Sequence, residues 1–288
     1  MRRLFPLALL LASSAFGQPN WENVEIKAEK VAGTVYMLTG LGGNIGVSAG
    51  EDGIVIVDDQ YAPLAPKIRE ALRAIMDKPL KFIINTHYHG DHTGGNAALG
   101  REAPILAHHN TRKRLAAGTR RGTSSVPPAA KEVLPIVTFD SSLSIHVNGE
   151  EIRAVHFPSG HTDGDVVIFF TSANVVHMGD DFFNGRFPLI DWENGGSVTG
   201  LIANIDKILG MIPDDVKIIP GHGPLAEKAA LQRYLTMLRE TSAVIAAAKK
   251  AGKTVEQARE EKVLARWEEW GKQSITTDRF IEILYNAR

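Results

Sequence analysis

The chain of 288 residues contains no cysteine. That excludes disulfides, thiolate metal sites and a lipidated N-terminal cysteine. Any metal must be held by His, Asp or Glu, and at this length the hydrophobic core must stabilise the fold unaided. An excess of one charge is lacking as well: 32 basic and 33 acidic residues are interspersed, for a formal net charge of −1. Nothing in that balance provides a surface for nucleic acid or an anionic membrane. There is no short-period repeat, no low-complexity segment and no interdomain linker. What remains is an ordinary globular composition, 44% hydrophobic and 23% charged, compatible with one large domain or two small ones.

The first residues are the exception. Arg2 and Arg3 precede the apolar stretch Leu4 to Ala12, and Ala15-Phe16-Gly17 offers a small-x-small cleavage site. The stretch is too short to span a bilayer and reads as a secretory signal peptide over residues 1–17. The expectation is a mature chain over 18–288, a single domain with a helical segment over about 225–288. It is exported, in the simplest case to a bacterial periplasm, and has no membrane partner after cleavage.

Hydrophobic periodicity orders the rest. Asn44 to Ala49 and Ile54 to Val57 flank Glu51-Asp52-Gly53, a hairpin signal. Leu64 to Met76 carries Ile68, Leu72 and Ile75 on one helical face. Ile105 to Ala107 reads as a strand, and Asn110 as the cap of a helix running to about Ala117. Gly118 to Pro128 reads as a loop. Strands follow at 143–147, 152–157, 166–170 and 174–177, then a helix from Ser197 to Met211 and a strand at 216–219. Helices fill the remainder, broken near Gly252 and Gly271. Strands and helices, then strands and helices again, predict an α+β sandwich of two sheets with helices outside.

The chemistry concentrates in His87-Tyr88-His89-Gly90-Asp91-His92, directly after the apolar run Lys81 to Asn85. A buried strand followed by its C-terminal loop is where α/β folds place active groups. From this composition the pattern arises by chance in roughly one chain in a thousand. Neutral imidazoles with a carboxylate suit zinc and similar divalent ions. Three further fragments each follow a strand candidate: Gly160-His161-Thr162-Asp163, Met178-Gly179-Asp180 and Pro220-Gly221-His222-Gly223. Their glycines allow sharp turns and close approach.

With His87, His89, Asp91, His92, His161, Asp180 and His222 in this order, the chain resembles the metallo-β-lactamase superfamily. The resemblance runs from about residue 30 to the loop after residue 219. It implies a four-layer αβ/βα sandwich with metals at the sheet edges. His87, His89 and His161 would hold one ion, Asp91, His92 and His222 a second, with Asp180 bridging. It implies two Zn2+ per chain, with Fe or Mn as alternatives, and a metal-bound hydroxide attacking the carbonyl of a small lactam, thioester, ester or lactone. Asp91 would be the catalytic carboxylate that orients the nucleophile and shuttles its proton. Because no cysteine can stand at the second metal, the chain is unlike the lactamase subclasses that use one; an aspartate there resembles thioester, lactone and phosphodiester hydrolases. Two other classes stay open: a sulfur dioxygenase-like oxidoreductase with a single Fe(II) on His87, His89 and His161, or on a related subset, activating oxygen on a thiol or persulfide, and a non-catalytic metal-binding protein.

Other residues carry weaker expectations. Asp58 is read equally as a carboxylate behind a ligand histidine or as a turn cap. Tyr88 is a candidate for polarising a carbonyl, against a packing role. Arg120 and Arg121 select an anionic substrate or form a solvated pair. Thr162, Asp163 and Asp165 fix the loop around His161. His146 faces solvent, His177 faces away from Asp180, and Trp267 and Trp270 belong to the core. Lys249, Lys250 and Lys253 read as an exposed helix end rather than a glutathione-binding cluster. Specificity is assigned to loops 41–46, 118–135 and 183–196.

Overall fold

The computed structural model describes residues 19–286; the signal-peptide expectation for residues 1–17 lies outside them. Seven strands form the first sheet: β1 (Lys27–Ala32), β2 (Val35–Thr39), β3 (Ile45–Gly50), β4 (Gly53–Val57), β5 (Leu80–Asn85), β6 (Ile105–His108) and, beyond the hairpin described below, β9 (Val137–Phe139). They lie in that order, antiparallel from β1 to β4 and parallel from β4 to β9. The second sheet holds β10 (Ser142–Val147), β11 (Glu150–His156), β12 (Val166–Phe170), β13 (Val175–His177), β14 (Lys217–Ile219) and β15 (Ala226–Glu227). Here β13 and β14 are parallel and the other pairs antiparallel.

β4 and β12 are buried along their whole length, which is why each reads as an unbroken apolar run instead of an alternation. Val55, Val57, Ile84 and Leu106 of the first sheet meet Ile152, Ala154, Ile168 and Phe170 of the second. On the first sheet's outer face, α1 (Ala65–Ile75) lays Ile68 and Leu72 against Ile54, Ile56 and Ile83. On the second sheet's outer face, α5 (Val198–Met211) and α6 (Lys228–Lys250) pack over Val167, Val176 and Ile218. The layers are therefore helix, sheet, sheet, helix. Trp267 and Trp270 are buried with α8 (Thr277–Asn286) in that last layer.

Three expectations are corrected. Gly118–Pro128 is not plain loop: β7 (Thr119–Arg121) and β8 (Ser124–Val126) form a hairpin. Their residues are mostly exposed on both faces, so no apolar alternation marked them. The segment after Leu225 begins with the two-residue strand β15, paired to β14, before helix. The cap of α4 (His109–Ala117) is His108, whose side chain accepts the Asn110 N–H; Asn110 lies inside the helix.

His108 also stacks on His156, ring centroids 3.6 Å apart, and donates from Nε2 to the Asp140 carbonyl at 3.0 Å. Donating at one nitrogen and accepting at the other requires neutral imidazole. Burial and the neighbouring His156 accordingly push His108 down to about 4. An unfolded histidine titrates near 6.5. Between those values the unfolded chain binds more protons, so the contribution of His108 is intact above about pH 6.5 and is lost as pH falls toward 4. His108→Asn keeps an acceptor for the cap and removes the titration. Urea midpoints of metal-free protein should fall less between pH 7 and pH 5 in the variant than in the wild type; equal falls would refute the assignment.

Candidate metal centre

All seven residues expected as ligands come together at one edge of the sandwich. The parallel strands explain how. β5 ends into the loop bearing His87 and His89 and into α2 (Gly90–Thr93), which carries Asp91 and His92. β13 and β14 end into the turns bearing Asp180 and His222. Parallel neighbours deliver their C-terminal loops to the same edge. His161 arrives on the turn after β11, where Thr162 donates to Asp165 through both its N–H and hydroxyl and Asp181 accepts the His161 N–H.

The donor atoms form two groups, each gathered within 4.8 Å: His87, His89, His161 and Asp180, and Asp91, His92 and His222. Asp180 faces both. Its Oδ2 lies 3.7 Å from His87 and 3.4 Å from His161, its Oδ1 3.1 Å from His92 and 3.4 Å from His222.

The hydrogen-bond network assigns the tautomers of the first group. His161 donates from Nδ1 to the Leu189 carbonyl at 2.8 Å. His89 donates from Nε2 to Asp191 at 2.8 Å. Thr86 gives its own hydroxyl proton to Asp58 and so accepts from His87 Nδ1 at 3.1 Å. Each ring is anchored at its outer nitrogen, which leaves three lone pairs converging. His89 Nδ1 lies 3.1 Å from His87 Nε2 and 2.8 Å from His161 Nε2. Facing lone pairs at that distance repel unless a cation lies between them. A tetrahedron with zinc–nitrogen bonds of about 2.0–2.1 Å has edges of about 3.3 Å. The donor set and its spacing therefore fit a divalent ion.

Electrostatics separates the two groups. Burial keeps His87 and His161 uncharged, His161 down to about 4. Burial also opposes charge on His92 and His222, but Asp180 foremost, with Asp58 or Asp91, outweighs it and lifts His222 to about 9. Burial would raise Asp91, yet His92 and His222 hold it below the usual carboxylate range. Metal and proton therefore compete at His92 and His222, and uptake there releases protons.

Close approach is built into the backbone. A Cβ on Gly221 would stand 2.1 Å from Asp180 Oδ1, and one on Gly43 2.2 Å from the His92 ring. Asn44, in a segment expected to serve specificity, ties the His222 loop instead: it donates to the Pro220 and Gly223 carbonyls at 2.9 Å each.

Asp58 is fully buried and serves both expected roles: its Oδ2 takes the His92 Nδ1 proton at 2.7 Å, and its Oδ1 accepts the Thr86 N–H at 2.7 Å. Tyr88 is buried and its hydroxyl donates to Asp191, so that proton is committed to the protein rather than to a carbonyl. Asp191 was not anticipated. No spacing rule links it to His89, 102 positions away. His177 is buried, bonded to the Asn44 carbonyl and outside both groups; His146 is exposed as expected.

A cavity of about 820 Å³ opens over the centre. Asp91, Asp180 and His222 lie in its floor, and Leu115, Val126 and Ile275 in its walls. Arg121 lines it and Arg120 does not. Lys249, Lys250 and Lys253 are elsewhere.

Comparison with known proteins agrees with this architecture. A 2,4-dinitroanisole O-demethylase subunit alpha from a Nocardioides species is 29% identical over 206 residues, 70% of this chain and 58% of that protein. A hydroxyacylglutathione hydrolase from a Polaromonas species is 32% identical over 145 residues, 49% of this chain and 47% of that protein. The chain thus spans about half the length of these curated relatives. The solved structure of a metallo-beta-lactamase from Pontibacter korlensis superposes with a TM-score of 0.62 at 18% identity, covering 75% of this chain and 99% of its own. The family model for the metallo-beta-lactamase superfamily matches residues 38–222, from β2 to the last histidine of the site. On that match, and on the sandwich and edge site just described, the chain belongs to the metallo-beta-lactamase superfamily.

Proposed function

We propose that this protein is an exported two-zinc hydrolase that opens the carbonyl–heteroatom bond of a small thioester, ester, lactone or lactam. The observation that carries the reading is Asp180, one carboxylate with an oxygen turned to each group of histidines. An oxygen turned to each group suits two ions held side by side, whereas a single-iron site would need only one of them. The names of the hydroxyacylglutathione hydrolase relative and the lactamase fold neighbour point to hydrolysis as well.

Two divalent ions, when bound, supply Lewis acidity and lower the pKa of water toward neutrality. The chain's own residues supply the rest. Asp91 lines the cavity, and its Oδ2 is 3.3 Å from His222 Nε2. It orients the attacking water and receives its proton on the carboxylate. Thr86, Asp58, Asp191 and the Leu189 carbonyl keep the imidazole protons pointing away from the reacting centre. Phe183 stacks on His222, ring centroids 5.1 Å apart, and limits water on that side.

Elemental analysis of purified protein should find two zinc per chain. The zinc-loaded protein should hydrolyse at least one member of a thioester, lactone, ester and lactam panel, and chelation should abolish that turnover with zinc restoring it. One iron per chain with oxygen consumption on a thiol would transfer the assignment to the oxidase class. No metal after reconstitution would remove the reading altogether.

A further inference from the structure

Asn194 ends the short 3-10 turn Trp192–Asn194, between the metal centre and the β7–β8 hairpin. It is 4% exposed, and both polar atoms of its side chain are in use. Its Nδ2 donates to Asp191 Oδ1 at 2.9 Å and to the Arg120 carbonyl at 3.0 Å. Its Oδ1 accepts from Arg114 at 3.1 Å, and Arg114 is held in turn by both oxygens of Asp163. Two acceptors on one side and a cation on the other allow a single orientation of the amide. An aspartate in this place would satisfy Arg114 but would oppose a carbonyl and a carboxylate.

On one side the turn reaches two histidines of the first donor group. Asp191 Oδ2 accepts from His89 Nε2 and from the Tyr88 hydroxyl, and the Asp191 N–H donates to the His161 carbonyl at 2.9 Å. Among the described residues, the Asn194 amide is the donor that reaches the other oxygen, Oδ1. It therefore sets the rotation of the carboxylate that anchors His89. The turn also packs tightly on His161: a Cβ on Gly196 would stand 2.2 Å from the His161 carbonyl oxygen. On its other side the turn holds the hairpin. Among the described residues β7 and β8 pair with each other alone, and a lone two-stranded ribbon is marginal in water. This one is tied down through the Arg120 carbonyl and through the Gly122 N–H, which donates to Glu193 at 2.7 Å. Thr119, Arg121, Ser124 and Val126 of the ribbon line the cavity.

We propose that Asn194 is a positioning residue that ties the cavity-wall hairpin to the first donor group. One bond from its NH2 fixes Asp191, and through it the His89 ring; the other fixes β7 where the ribbon forms the wall. A ribbon displaced outward draws on the same amide that orients Asp191. Partners outside the ligand shell hold ligand rings in the geometry a metal needs, and here that support extends to the wall of the cavity. The hold on His89 stands apart from the hydrolase reading; the ribbon's part in seating a substrate rests on it.

The test compares the wild type with Asn194→Ala, Asn194→Asp and Glu193→Ala. Calorimetry with a competing chelator resolves zinc binding into two steps, and proton release marks the step at Asp91, His92 and His222. Trypsin cleavage after Arg120 and Arg121, both exposed, reports the ribbon, and circular dichroism verifies the fold. Asn194→Ala should weaken the step at His87, His89 and His161 by about tenfold, leave the other step as in the wild type and speed cleavage. Asn194→Asp keeps the acceptor for Arg114 and should lose at least as much. Glu193→Ala loosens the ribbon alone and should speed cleavage with both zinc steps unchanged. Equal weakening of both steps in Asn194→Ala, or wild-type zinc binding in Asn194→Asp, overturns the proposal. The expected zinc pattern in a protein that hydrolyses no panel substrate would discard the hydrolase reading and leave the role of Asn194 standing. Turnover by the wild type, with neither zinc step moved in Asn194→Ala, would do the reverse.

Discussion

Asp180→Ala should purify with no more than about one equivalent of metal and lose on the order of a thousandfold or more in kcat for whichever panel substrate the wild type hydrolyses. The size follows from the side chain's position. Among the described residues, its two oxygens are the carboxylate oxygens that face both donor groups, at 3.4 Å from His161 on one side and 3.1 Å from His92 on the other. Alanine removes a ligand candidate from each group at once and takes away the charge that lifts His92 and His222. Asp180→Asn separates the two effects, since it keeps the shape and one carbonyl oxygen but cannot offer two anionic acceptors. It should fall between the wild type and alanine. Metal content by elemental analysis and turnover after reconstitution are the readouts. Two firmly held ions in Asp180→Ala, with activity near that of the wild type, would mean that Asp180 is not shared between ions.

Legibility in the sequence followed the range of the constraint. The seven donors could be read because four short motifs each carry a strand end, a glycine and a ligand type within a few residues. What orients those donors could not. Asp191 reaches His89 from a segment with no motif, and the Leu189 carbonyl that fixes His161 is a backbone group that any residue could supply. Asp58 was visible as an acid ending a strand, but only the parallel pairing of β4 with β5 places it beside Thr86 and His92. The layers were legible because β4 and β12 are apolar throughout and α1 is amphipathic. The β7–β8 hairpin was not, because a ribbon exposed on both faces has no reason to alternate.

Asp58→Asn tests the orienting layer with the least steric change. Asp58 sits at φ +64, in the left-handed region that asparagine tolerates better than most residues, so the backbone should survive. Its Oδ1 accepts the Thr86 N–H at 2.7 Å, and its Oδ2 accepts both the Thr86 hydroxyl and His92 Nδ1–H, each at 2.7 Å. An amide can keep the first bond through its carbonyl oxygen. Its NH2 then points two hydrogens where two donors already point. The contact with His92 can be restored only if the ring moves its proton from Nδ1 to Nε2, the nitrogen that faces Asp180 and His222. That tautomer cannot ligate from Nε2. The expected result is a loss of about 10–100-fold in metal affinity at the Asp91, His92 and His222 group. A smaller loss at the first group should accompany it, reached through Thr86 and His87. Zinc titration against a competing chelator, with circular dichroism to verify the fold, resolves the two steps. A second-step affinity equal to that of the wild type would show that Asp58 only closes the turn after β4 and leaves His92 free to choose its own tautomer.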